Sequence, residues 1–115
     1  MEFNEHKPIY LQIAHNICEK ILSGEWPEDE RIPSVRELGS TLGVNPNTIM
    51  RTYEHLTSSM VIYNKRGIGF FVESGAKEKI FSIQRNTFIN EELPLIIKKM
   101  EILGIDKSFI TKFLK

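Results

Sequence analysis

Ser34-Val35-Arg36-Glu37-Leu38-Gly39-Ser40-Thr41-Leu42-Gly43-Val44-Asn45-Pro46-Asn47-Thr48-Ile49 holds two helix starts and one helix stop in a single short run. Ser34 and Glu37 have the spacing of a capping box, in which the hydroxyl accepts from the N3 amide and the carboxylate reaches back. Leu38 and Leu42 supply one apolar face, and Gly43 is the expected left-handed stop. Asn45 is then a strong N-cap, and Pro46 belongs at the first helical position, where its missing N–H costs nothing. Ile49, Tyr53 and Leu56 continue inward at helical spacing. Two helices joined only by Gly43-Val44-Asn45 have the geometry of a helix-turn-helix.

Upstream, Ile9, Ile13, Ile17 and Ile21 recur every four residues beside Tyr10, Ala14 and Cys18, the apolar face of a first helix opened by Pro8 and closed near Gly24. Glu25 to Pro33 reads as a connection with a short extended piece at Arg31-Ile32. Downstream of Met60 the period becomes extended. Val61-Ile62-Tyr63 and Gly69-Phe70-Phe71-Val72 flank Asn64-Lys65-Arg66-Gly67, which predicts a hairpin with a basic tip. Beyond Gly75, Ile80, Ile83, Phe88, Leu93, Ile96, Ile97, Met100 and Leu103 follow at three- and four-residue steps. Pro94 should kink or restart that helix, Gly104 ends it, and Asp106 caps a last short piece carrying Phe109, Ile110, Phe113 and Leu114. The expected fold is mainly α with a small β-hairpin: a winged helix-turn-helix over residues 1–75, then a short helical tail over 76–115.

With 115 residues, 41% of them hydrophobic, one core of domain size is expected, with a small appendage beside it. No apolar run approaches the roughly 20 residues of a membrane span, and Met1-Glu2-Phe3-Asn4-Glu5 lacks the features of a leader. A cytoplasmic location without membrane partners is expected. Cys18 is the single cysteine, so no intrachain disulfide forms, and its place on the helix face makes it core. His6, His15 and His55 lack ligand spacing, and Gly67-Ile68-Gly69 follows no strand-to-helix pattern. Neither a metal site nor a cofactor is expected. Trp26 is expected to pack over the first helix. The net charge is zero, yet Arg31 to Val72 holds five basic residues against Glu37 and Glu54, a local net of +3. The local field is what a polyanion would meet.

Pro8-Ile9-Tyr10-Leu11-Gln12-Ile13, Ile32-Pro33-Ser34-Val35-Arg36-Glu37-Leu38, Leu42-Gly43-Val44-Asn45-Pro46-Asn47-Thr48-Ile49 and Gly67-Ile68-Gly69-Phe70-Phe71-Val72, in this order and at these separations, resemble the winged helix of GntR-family transcription regulators. The tail looks like that of the YtrA subfamily, the smallest members, which dimerise through a short helical segment. Two positions depart from the pattern. Asp29 and Met60 stand where the family usually has glycine. A non-glycine in a left-handed helix cap costs on the order of 1 kcal/mol, which puts the closure of the helix at Met60 in question.

A recognition helix reads the major groove with residues near its N-terminus, here Asn45, Pro46, Asn47, Thr48, Met50 and Arg51. Asn47 can pair bidentately with an adenine edge, and Thr48 can bond a base or a phosphate. Asn45 is a cap first and a DNA neighbour second. Arg51, one turn in, can reach a phosphate or a guanine. Arg36 opposes the dipole of its own helix, which hints at an outside partner, and the resemblance makes it a DNA contact. Ser34 is a cap with a phosphate as its second neighbour. For Lys65, Arg66 and Gly69 the resemblance implies wing contacts to the minor groove or backbone.

In the tail, Phe81, Phe88, Leu93, Ile97 and Met100 exceed what short helices bury alone, so a homodimer through the C-terminal helices is expected. It would read an inverted-repeat operator in double-stranded DNA with recognition helices about 34 Å apart. Repressor is the sense implied by the resemblance. No effector is named by the sequence. A small molecule seated between tail and winged domain, or at the dimer interface, would shift the spacing of the readers. One alternative is a winged helix that docks on proteins and not DNA. The other is an enzyme fragment, because some members of the family carry an aminotransferase domain, but no cofactor lysine in context stands here, and no catalytic residues are expected.

Overall fold

The computed structural model describes residues 7–114, so His6 and the leader reading of the first five residues lie outside it. Three helices come first: α1 (Ile9–Leu22), α2 (Val35–Leu42) and α3 (Pro46–Ser58). Strands β1 (Ile62–Lys65) and β2 (Gly69–Val72) follow, then α4 (Ala76–Thr87), α5 (Leu93–Ile102) and α6 (Lys107–Thr111). The chain divides into two compact units, Met1–Phe81 and Ser82–Lys115.

The core of the first unit joins the inner faces of its elements. Ile13, Ile17 and Ile21 of α1 meet Leu38 of α2, Ile49, Tyr53 and Leu56 of α3, Val61, Ile62 and Val72 of the hairpin, and Ala76 and Ile80 of α4. Ile9 shares their spacing but is 46% exposed, because it sits in the first turn of α1, beyond the reach of the core. Cys18 and Trp26 pack against the core from its edge, with the Lys20 ammonium 5.3 Å from the indole ring. Burial raises the Cys18 thiol to about 11, so it stays protonated at neutral pH.

The hairpin differs in register from the sequence pattern. Asn64 and Lys65 belong to β1, and Lys65 pairs with Gly69, which leaves Arg66–Ile68 as the turn. The segment before α2 lies along the other edge of β2. Ile32 N–H donates to Phe70 O at 2.9 Å, Val72 N–H to Glu30 O at 3.1 Å and Asp29 N–H to Val72 O at 2.9 Å. This pairing holds the wing against the start of α2.

Both departures from glycine keep the backbone that glycine would adopt, with φ of 66° at Asp29 and 60° at Met60. Helix α3 closes with Val61 N–H on Leu56 O at 2.9 Å and Met60 N–H on Thr57 O at 3.0 Å. That is the Schellman pattern, completed by the buried pair Leu56 and Val61. The packing and these two bonds outweigh the strain at Met60.

In the second unit, Pro94 sits at the start of α5, directly after a π-helical turn over Phe88–Glu92. A proline ring clashes with the carbonyl four residues back and offers it no N–H. One wide turn absorbs both, and the helix restarts without a break. Gly104 ends α5 with φ 68°, and Asp106 caps α6 by accepting from Ser108 N–H at 3.3 Å. No residue of α5, α6 or the π-turn is buried.

Candidate nucleic-acid interface

The start of α3 is open. Asn45 Oδ1 accepts from Asn47 N–H at 2.8 Å, so this side chain is occupied as the cap. Pro46, Asn47, Met50 and Arg51 are exposed, and Thr48 is half-buried. Inward, Thr52 is fully buried; its hydroxyl donates, within reach of Thr48 O at 3.0 Å and Tyr10 O at 3.1 Å. Arg51 does not extend freely. Its guanidinium lies 4.1 Å from the Tyr10 ring, whose edge meets His55 at 6.0 Å. Asn47, Thr48 and Arg51 therefore share a shallow groove with Pro8 and with Ile9 and Tyr10 of α1. Tyr10 carries no weight in the sequence reading as a site residue, although it lies in the Pro8–Ile13 block.

The helix-turn-helix is tight because of a glycine inside α2. Val44 N–H donates to Gly39 O at 2.9 Å, and a Cβ on Gly39 would stand 2.8 Å from Val44 O. The sequence gives no local signal for that requirement, since Gly39 falls within a helix.

Ser34 and Glu37 form the expected box, with Ser34 N–H on Glu37 Oε1 at 3.0 Å and Glu37 N–H on Ser34 Oγ at 3.1 Å. The Ser34 backbone N–H, followed by its hydroxyl, holds the Glu37 carboxyl below the usual carboxylate range. Arg36 projects from the first turn of α2 and is exposed. It lines a cleft with Arg31, Ser34, Ile68, Gly69 and Phe70. At the wing, Lys65 leans over the Phe71 ring at 5.5 Å, and that ring stacks on Tyr63 at 5.6 Å. Arg66 is exposed in the turn.

Two groups thus assemble from the predicted residues: Asn47, Thr48 and Arg51 on one side, Ser34, Arg36 and Gly69 on the other. Lys65 and Arg66 line neither cleft. Both groups and the wing tip stand on one rigid core. Tyr53 secures it, donating to Pro33 O at 2.6 Å while its ring meets Phe70 edge-on at 4.9 Å. Among the described residues no cluster of histidine, cysteine or carboxylate could hold a metal ion, and no helix is long and apolar enough to cross a membrane.

None of the tail residues singled out for association is fully buried in the single chain. Phe81 is 61% exposed, Phe88 and Ile97 are exposed, and Leu93 and Met100 are half-buried.

Known proteins share this architecture. The family described as “Bacterial regulatory proteins, gntR family” matches residues 9–72. The HTH-type transcriptional repressor YtrA of Bacillus subtilis is 31% identical over 94% of this chain and 82% of its own. A crystal structure of a transcriptional regulator of the GntR family from Bacteroides thetaiotaomicron is 51% identical, with a TM-score of 0.79 over 91% of each chain. AraR(DBD) in complex with an operator is 33% identical, with a TM-score of 0.56 over 63% of this chain and 84% of that one.

Proposed function

The chain belongs to the gntR family of bacterial regulatory proteins, in its YtrA subfamily, as a DNA-binding transcription regulator, and we propose that it acts as a repressor, gripping an inverted-repeat operator as a homodimer. The observation that carries this reading is the open N-terminal turn of α3, with Asn47 exposed, Arg51 exposed against the Tyr10 ring, and a second cleft bordered by Arg31 and Arg36 in the same unit.

Asn47 reads a base edge in the major groove, with Thr48 and Met50 beside it. Pro46 and Asn45 bring the helix start close to the phosphates, where the partial positive charge of the helix end meets an anion. Arg51, held on Tyr10, reaches a backbone phosphate or a guanine. Ser34 and Arg36 bind the backbone at the start of α2, and Lys65, Arg66 and Gly69 bring the wing to the adjacent groove.

Residues 1–75 carry the reading and residues 76–115 the pairing. Each mismatched base costs only about 1–3 kcal/mol, so a single winged helix discriminates weakly. Two copies joined by Phe81, Phe88, Leu93, Ile97 and Met100 multiply that discrimination. The name of the B. subtilis relative supports repression, and the operator held by AraR(DBD) supports duplex DNA as partner. The protein works in the cytoplasm, where its DNA is, and a small-molecule effector would act by changing the spacing of the two readers.

The test is a mobility-shift titration against duplex from the region upstream of the protein's own coding sequence, at two salt concentrations. Tight binding that weakens steeply with salt is expected, with Arg36→Ala and Asn47→Ala each weakening it at unchanged thermal stability. Salt-independent or absent binding would overturn the reading in favour of a protein-docking winged helix.

A further inference from the structure

We propose that Arg31 is an additional phosphate-binding residue, holding a backbone phosphodiester of duplex DNA in the cleft between the first turn of α2 and the wing. The inference rests on the DNA-binding reading above and adds a contact to it.

Arg31 lies in the segment paired with β2, bridged to Phe71. The bonds from Ile32 to Phe70 and between Glu30 and Val72 fix its backbone on both sides. Its side chain runs back along the hairpin to Gly69. A Cβ at Gly69 would stand 2.9 Å from Arg31 Nε and 3.5 Å from its Cζ. With φ of 145°, Gly69 also has a backbone that side chains rarely adopt. Glycine at this place lets the guanidinium lie against the wing, a role distinct from touching DNA itself.

The charge so placed has no carboxylate within ion-pair distance among the described residues. Among the described residues the one ion pair is His15 with Glu19, far along the chain from this cleft. Glu37 is near enough to feel Arg31, but its Oε1 accepts from Ser34 N–H and it forms no ion pair with the guanidinium. Arg31 and Arg36 line the same cleft, together with Ser34 and the exposed Ile68. Two arginines that border one concave surface can bring their charges to a single anionic group with several acceptor oxygens. A freely solvated arginine would lose much rotamer freedom on binding. One already laid against Gly69 loses less, so more of the contact is expressed as affinity. A backbone phosphate meets these requirements.

Fluorescence anisotropy over a series of salt concentrations tests this, with the upstream duplex and a scrambled duplex of equal length. Arg31→Ala should weaken both duplexes to a similar extent, about tenfold, and lower the slope of log K against log salt by about 0.9. Arg31→Lys should keep the slope, because the charge remains. Arg31→Gln, which keeps much of the stem on Gly69, should lose the slope as alanine does, and it stands in if alanine unfolds the wing. A wild-type slope in both neutral variants, or a loss confined to the upstream duplex, overturns the site while leaving DNA binding intact. A wild-type protein that binds neither duplex overturns the DNA reading itself, and this inference with it.

Discussion

The Tyr53 hydroxyl donates to the carbonyl oxygen of Pro33 across 2.6 Å. One end of this bond is the middle of α3, and the other is the residue just before the cap of α2. The ring is fully buried and sits edge-on against Phe70 of β2. One side chain therefore sets the angle between the recognition helix, the start of α2 and the wing. Burial pushes the phenol above its usual range, so it remains a neutral donor at any working pH.

Tyr53→Phe keeps the ring and removes only that bond, leaving the Pro33 carbonyl without this donor. A loss of about 1–2 kcal/mol is expected, read as a lower urea midpoint at unchanged m-value. DNA affinity should fall less than in Asn47→Ala, because no groove contact is removed.

Glu28 makes stability depend on acid. Its two carboxylate oxygens accept from Gly75 N–H at 2.9 Å and Lys77 N–H at 3.0 Å, so a loop residue caps α4 from 47 positions away. The Gly75 bond, then the Lys77 bond, hold its carboxyl below the usual value of 4.5. A carboxyl lowered on folding stabilises fully above its unfolded value, and the contribution fades as pH falls through the folded one. Urea midpoints measured from neutral to pH values below 4.5 should decline, and Glu28→Gln should remove part of that decline. Glu37, lowered by Ser34, supplies another part in the same window.

Gly39→Ala should be destabilising by about 1–3 kcal/mol, since its Cβ would meet the Val44 carbonyl and backbone yields poorly. The readout is thermal unfolding. A neutral or stabilising result would mean that the turn between α2 and α3 opens freely.

Met60→Gly should raise stability by about 0.5–1 kcal/mol, because the residue sits at φ 60° and its side chain is 60% exposed. Thermal melting of the variant checks this, and DNA affinity should stay unchanged.

These residues also mark what was legible beforehand. The starts of α2 and α3 could be read from Ser34, Glu37, Asn45 and Pro46 because capping is chemistry between residues a few positions apart. So could the stop at Gly43. The left-handed closure at Met60 could not, because the buried pair Leu56 and Val61 outweighs the local preference there. The hairpin turn was misplaced by its polar residues. Lys65 pairs with Gly69 inside the ladder, and pairing is decided across strands. Glu28, Arg31 and Gly39 carry their roles through partners far along the chain or through space that only the fold defines. For that reason none stood out in the sequence.

Pairing through the tail gives the last prediction. Exposed apolar side chains on α5 and α6, among them Leu95, Ile97, Ile102 and Phe109, leave that unit with little buried surface of its own. A second copy would remove this surface from water at roughly 25 cal/mol per Å². Phe88→Glu combined with Ile97→Glu places charge on the proposed contact, and sedimentation equilibrium should show a monomer. The core of the first unit draws on neither residue, so its melting should persist. Binding to an inverted repeat should drop by about a hundredfold or more, because the second half-site no longer gains from being tethered to the first. A double variant that still sediments as a dimer would move the interface away from these helices, and would leave the contacts of the individual reader untouched.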